Sequence, residues 1–161
     1  MITIRKAGMF DARPMAELLN QIITIGGTTA LVTPKTSQDL QSWMNAYPSQ
    51  SIWHLAEDDA GMVLGFQWVE PHPDLPQHAL NIATFVMPDQ RGMGIGSRLF
   101  VATQAAARKL GYSWINATIR ADNESGLIYY QSRSFEPYAR LQNVRLSNGQ
   151  IVDKVKMRFD L

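Results

Sequence analysis

The sequence predicts an α+β fold: a mixed, largely antiparallel central sheet of about seven strands flanked by about four helices. Three observations predict it. Four stretches place apolar residues at helical spacing, and seven others alternate or cluster them at strand spacing. Residues 51–70 and 135–159 each fall into two strand-like runs joined by a short turn, which is the antiparallel hairpin pattern. A length of 161 residues with 45% hydrophobic content suffices to bury one core, so residues 1–161 are expected to form a single domain.

The elements follow in order. Ile2 and Ile4 alternate with Thr3 and Arg5 as a short strand with one buried face. Asp11 is placed to cap a helix whose stripe is Met15, Leu18, Leu19 and Ile22, and Gly26 with Gly27 ends it. Thr36 and Asp39 form a capping-box start for a second helix marked by Leu40, Trp43, Met44 and Tyr47. Residues 51–57 and 62–70 then read as a hairpin across the Asp58–Gly61 turn. A loop with three prolines leads to a strand over 78–87 that Pro88 closes. Ile95, Leu99, Ala102, Ala106 and Leu110 fall on one face of a third helix, which Gly111 stops. Residues 113–119 read as a strand, Asp122 opens a fourth helix running through Gln131, and a last strand pair turns at Ser147–Gly149.

Composition excludes several function classes. The formal charge of +1 leaves no broad basic surface, so no nucleic-acid or membrane partner is expected. The chain has no cysteine, which removes disulfides, thiolate ligands and a thiol nucleophile. His54, His72 and His78 lack the paired spacing of a helical zinc site, and no metal is expected. Neither a signal-type N-terminus nor an apolar run of membrane length is present, which makes a cytoplasmic location the default.

The segment QRGMGIGSRL, residues 90–99, lies where a strand ends and a helix begins. Free N–H groups of a helix's first turn, with the helix dipole behind them, favour a phosphate there. Gly92, Gly94 and Gly96 remove β-carbons from the approach and permit unusual backbone angles, and Arg91 adds a cation. A Walker-type loop requires a lysine after its last glycine, but Ser97 and Arg98 follow Gly96. A dinucleotide fingerprint requires a different glycine spacing within a parallel unit. On the residues alone, a phosphate-binding turn and an unliganded tight turn both stay open.

PDQRGMGIGSRLF, residues 88–100, resembles the acetyl-CoA signature of the GNAT superfamily of N-acetyltransferases, with Arg91, Gly94 and Gly96 at its fixed positions. NESGLIYYQSRSF, residues 123–135, resembles a second motif of that family, with Asn123, Tyr130 and Phe135 in register. The segment IITIGGTTALVTPKT is most similar to the phosphinothricin-acetyltransferase-like branch, whose members acetylate small amines. The resemblance covers essentially the whole chain.

It implies acetyl-CoA as acyl donor, held by Phe85, Val86 and Met87 at the strand end, by Arg91, Gly92, Met93, Gly94, Ile95, Gly96 and Ser97 at the turn, and by Asn123. It implies Tyr130 as the general acid that protonates the leaving thiolate. Tyr129 is expected to point about 100° away, so that only one ring faces the cofactor. Thr28, Thr29, Trp68 and Asn81 are the candidate acceptor-site residues, and a homodimer is implied by the branch. Asn81 stands where that branch often has a glutamate base, and an amide cannot take a proton. Glu70, His72 and His78 are alternative bases, an amine of low pKa would need none, and Arg133, Arg140 and Arg145 are a basic cue for an acidic substrate. The expected reaction is acetyl transfer to a small-molecule or amino-acid-like amine. A protein or peptide acceptor, and an acyl-CoA-binding module with weak catalysis, stand as alternatives.

Overall fold

The computed structural model describes residues 1–90 and 92–161. Its elements are β1 (Thr3–Lys6), α1 (Ala12–Ile25), α2 (Ser37–Ala46), β2 (Ile52–Glu57), β3 (Val63–Glu70), β4 (Ala79–Val86), α3 (Ile95–Lys109), β5 (Trp114–Arg120), α4 (Glu124–Ser132), β6 (Glu136–Arg145) and β7 (Ile151–Asp160). One seven-stranded sheet runs in the order β1-β2-β3-β4-β5-β7-β6. Neighbours are antiparallel except for β4 and β5, which are parallel. A parallel pair needs a crossover, and α3 supplies it.

Each sheet face carries its own core. On one, α1 and α2 pack on Trp53, Leu55, Phe66, Trp68 and Phe85. On the other, α3 and α4 cover Val69, Leu80, Ile82, Ile115, Ala117 and Met157. Burial on both faces explains why β3 is apolar almost without interruption. Register also builds the aromatic stack: Trp53 and Trp68 are direct cross-strand partners, with ring centroids 4.3 Å apart and planes within 2°. Phe66 and Phe85 are likewise partners, and each contacts the Trp68 ring. Such pairs contribute roughly 0.5–1.5 kcal/mol beyond their buried area.

Local signals operate largely as expected. Met15, Leu18, Leu19 and Ile22 are all buried on α1, and Gly26 ends the helix with φ of 76°. Thr36 and Asp39 exchange side-chain and backbone hydrogen bonds of 2.8 and 3.1 Å at the start of α2.

Three expectations need correction. Asp11 sits at the cap position of α1, but its carboxylate makes no cap bond there. It accepts instead from Arg5, at 2.8 and 3.0 Å, and from the Gly8 N–H at 2.7 Å, because a guanidinium fork offers a stronger charge-assisted partner. The buried stripe of α3 is Ile95, Leu99, Phe100, Thr103 and Ala107, and Leu110 is exposed. Phe100 turns inward to meet Phe135 and Phe159, and Gln67 draws Thr103 in. Finally, α4 is capped by Asn123 rather than opened by Asp122, whose carboxylate is bound by the Nε and Nη2 edge of the Arg120 guanidinium.

The Arg5 guanidinium holds the Asp11 carboxyl below the usual carboxylate range. A depressed folded-state pKa stabilises above the unfolded pKa, near about 4, and that contribution is lost as pH falls through the folded value. Asp11→Asn is therefore expected to cost about 1 kcal/mol at neutral pH, kept modest by the partial exposure of Arg5. Urea unfolding of both proteins at pH 7 and pH 3 checks it: the difference should shrink at the lower pH.

Candidate active site

Strands β4 and β5 pair only from Ala79 with Trp114 to Ile82 with Ala117. Beyond that point β4 stays bonded to β3 as far as Val86, and β5 to β7 as far as Arg120. The two strands therefore part, and a cleft of about 970 Å³ opens between them. That volume lies at the upper end of the range for small-molecule sites.

The backbone on the β4 side is directional. The Met87 N–H donates to the Leu64 carbonyl at 2.9 Å. Alternation in an antiparallel pair then commits Phe85 toward β3 as well, and leaves the N–H and C=O of Thr84 and Val86 on the gap side. Val86 thus offers its backbone to the cleft, and Phe85 offers only its ring. Met87, expected to do the same, packs against the first core instead.

The glycine turn lies at the mouth of this gap. Gly92 and Gly94 have φ of 87° and 74°, a region that side-chain-bearing residues resist. Gly94 caps α3 and makes no side-chain cap bond, so no described side chain satisfies the first-turn N–H groups of Ile95, Gly96 and Ser97. Gly96 has a second reason beside the one expected. A β-carbon there would meet Cε1 of Tyr129 at 2.5 Å, so packing against that ring dictates the glycine. Met93 is exposed and stands off the cleft wall, and Arg91 lies outside the described residues.

Arg133 adds a cation at the same end. Its guanidinium lies 3.9 Å from the Tyr129 ring centroid, donates to the Tyr129 carbonyl at 2.9 Å, and reaches the Ser97 hydroxyl. Its Nε is buried without a partner among the described residues. A phosphate group answers both the open N–H groups and this guanidinium, so the residues present fit a nucleotide-bearing cofactor. Arg140 instead pairs with Asp153, and Arg145 sits near the end of β6, away from the cleft wall.

Both tyrosines line the cleft, contrary to the expectation that only one would. Each ring is aimed by a different partner. The Tyr129 hydroxyl donates to the Gly96 carbonyl at 2.7 Å, and Tyr130 shares a 2.9 Å hydrogen bond with the Thr84 hydroxyl. Behind them is a buried relay that sequence reasoning missed. Thr103 donates to Oε1 of Gln67 at 2.6 Å, and Nε2 of Gln67 donates to Thr84 at 2.8 Å and to Tyr129 at 3.1 Å. Gln67 and Thr103 are fully buried. Burial pushes both phenols above their ordinary pKa, Tyr130 further because it is the more deeply buried and has Tyr129 beside it.

The opposite face of the gap is polar. Asn81 and Asn116 are register partners joined by a 2.9 Å amide hydrogen bond, and Asn116 also donates to Thr118. Arg120, only 3% exposed, donates to the Thr29 carbonyl, and Asn123 donates to the Thr28 carbonyl while accepting from the Gly126 N–H. Asn123 is thus both a helix cap and the tether of the threonine loop. Thr28 and Thr29 line the cleft through this anchoring, although the Thr29 hydroxyl itself accepts from Leu31. Trp68 reaches the wall from within the aromatic stack.

Among the alternative bases, Glu70 is the cross-strand partner of Asn81, and burial raises its pKa above the ordinary carboxylate range. His72 lines the cleft, and Glu70 and His78 do not. Among the described residues no three His, Cys, Asp or Glu side chains gather to hold a metal ion.

Gly96→Ala is expected to cost about 1–3 kcal/mol of stability through overpacking. In a Tyr129→Leu background that cost should fall by about 1 kcal/mol or more, as read by a double-mutant cycle in urea. An equal cost in both backgrounds removes the steric account.

Residues 18–135 match the model of the acetyltransferase (GNAT) family. The L-methionine sulfoximine/L-methionine sulfone acetyltransferase of Pseudomonas paraeruginosa is 29% identical over 168 aligned positions, spanning 99% of this chain and 94% of that one. An L-amino acid N-acyltransferase of Escherichia coli is 24% identical, with 99% and 94% covered. In structure, a GNAT superfamily phosphinothricin acetyltransferase from Sinorhizobium meliloti, solved in complex with AcCoA, shares the fold with a TM-score of 0.88 at 20% identity, over 99% of this chain and 88% of that one. With the split strand pair, the uncapped glycine turn and the paired tyrosines all inside the matched segment, the chain belongs to the acetyltransferase (GNAT) family and is an N-acetyltransferase.

Proposed function

We propose that the protein acts as a single domain that transfers acetyl from acetyl-CoA to the amine of a small, amino-acid-like molecule. The observation that carries this reading is the gap beyond Ile82 and Ala117, with phosphate-directed groups at one end and a polar amide floor on the other side. The relatives from Pseudomonas and Escherichia, named for amino-acid-type substrates and matched nearly end to end, support the acceptor class.

When bound, acetyl-CoA supplies an activated thioester. The N–H groups of Thr84 and Val86 are the gap-side donors that polarise its carbonyl. The turn from Gly92 to Ser97, with Arg133, holds the pyrophosphate end. Tyr130 is the acid that gives a proton to the departing sulfur. Gln67 already donates to Thr84, so the Thr84 hydroxyl hydrogen is free to point at the Tyr130 oxygen, which leaves the phenol hydrogen for the cleft. Its raised pKa keeps that hydrogen in place throughout the neutral range. Glu70, the cross-strand partner of Asn81 and set just behind the cleft wall, is the carboxylate that takes the proton from the acceptor amine through a bridging water. A cytoplasmic setting and a homodimer go with this reading. Strand β6, exposed along nearly its whole length, is the surface through which two copies would meet.

Two experiments test the roles. With a panel of amino acids and thiol release as readout, Tyr130→Phe should lower kcat by about 100-fold or more and leave the KM for acetyl-CoA near its original value. Undiminished turnover rejects the acid. In wild type, kcat/KM should rise with pH as Glu70 loses its proton, through a midpoint above the ordinary carboxylate range, and Glu70→Gln should abolish that limb. Retention of the limb in the variant assigns the base elsewhere.

A further inference from the structure

We propose that Lys154 and Lys156 on β7 form an anion-binding subsite, so that the acceptor is an amine carrying a carboxylate or similar oxyanion a few bonds from the reacting nitrogen. The inference rests on the acetyl-transfer reading of the cleft and adds to it the charge of the acceptor.

Register places the two lysines. Thr118 is the partner of Lys156, and Arg120 the partner of Lys154, so both side chains rise from the same sheet face as Asn81 and Asn116. Both line the cleft. Strand β7 lies one step, about 4.8 Å, beyond the β5 edge of the gap. The Lys156 ammonium lies 5.6 Å from the Tyr138 ring centroid, on the sheet face that carries the amide floor.

Charge accounting singles them out. Arg120 is answered by Asp122, Arg140 by Asp153, and Arg158 by Asp160. Among the described residues, neither Lys154 nor Lys156 has an ion-pair partner within 4.0 Å. Asp74, on the loop before β4, is the one acidic residue among the described residues lining the cleft. The resulting wall repels a simple ammonium and is relieved by an oxyanion. Burial and the adjacent Arg120 lower the Lys154 pKa, as expected for a cation left without its counter-charge.

The test compares L-alanine with L-alaninamide, and β-alanine with propylamine, as acceptors for wild type, Lys154→Gln, Lys156→Gln and the double variant. Wild type should prefer the member of each pair with the extra carboxylate by at least tenfold in kcat/KM. Each substitution should raise the KM for that acceptor about tenfold, the double variant should lose the preference, and propylamine turnover should not fall. A preference that survives in the double variant, or equal losses for both members of a pair, overturns the subsite. Calorimetric titration of the same four compounds in the presence of CoA reads binding without turnover. Oxyanion-dependent binding lost in the variants sustains the subsite even if no amine is acetylated, which would sink the acetyl-transfer reading alone. Equal wild-type binding of both members of each pair overturns it.

Discussion

The structure depends on one interrupted ladder. A parallel pair of strands in mid-sheet would ordinarily continue as far as both strands extend, yet β4 and β5 hold each other only as far as Ile82 and Ala117. Their outer neighbours keep them in place: β3 secures β4 and β7 secures β5. Backbone groups that part in this way cannot stay dry and unpaired without a cost of a few kcal/mol. The gap is therefore a set of directed, unsatisfied donors and acceptors, held rigid by two antiparallel ladders. A ligand that mimics a strand edge answers them, and the parting of the strands makes the fold an enzyme scaffold.

The two sides of that gap differ in how they were stabilised. On the α3–α4 side, Thr103, Gln67, Thr84 and both tyrosines satisfy one another in a buried chain. Such a network is stable only when every member is paired, and it fixes side-chain directions closely as a result. The α1–α2 side combines an apolar aromatic stack with a floor of amides and cations. One side fixes two phenol hydroxyls in direction, and the other presents amides and cations to the cleft.

Much of the fold was legible in the sequence because its signals are local. The capping box at Thr36 and Asp39, the α1 stripe and the hairpin turns depend on residues a few positions apart, and all appear as expected. Errors arose where a distant partner outcompeted a local one. Asp11 left its cap for Arg5, Asp122 gave up its helix to Arg120, and Thr103 turned inward for Gln67. The glycine turn and Tyr130 were legible through motif spacing, but the second reason for Gly96 was not, since Tyr129 is 33 positions away. Lys154 and Lys156 were visible as the polar half of an alternating strand, IVDKVKMRF. Nothing in that alternation reveals which strand β7 will border, because register across a sheet is a tertiary fact.

Asn123 joins two parts of the molecule that are otherwise independent. Its amide oxygen closes the first turn of α4 and its amide nitrogen holds the carbonyl of Thr28, 95 positions earlier in the chain. One planar group cannot rotate to suit the loop without uncapping the helix that carries Tyr129 and Tyr130. The threonine loop and helix α4 thus form a single mechanical unit, so that a displacement of either is felt by the other.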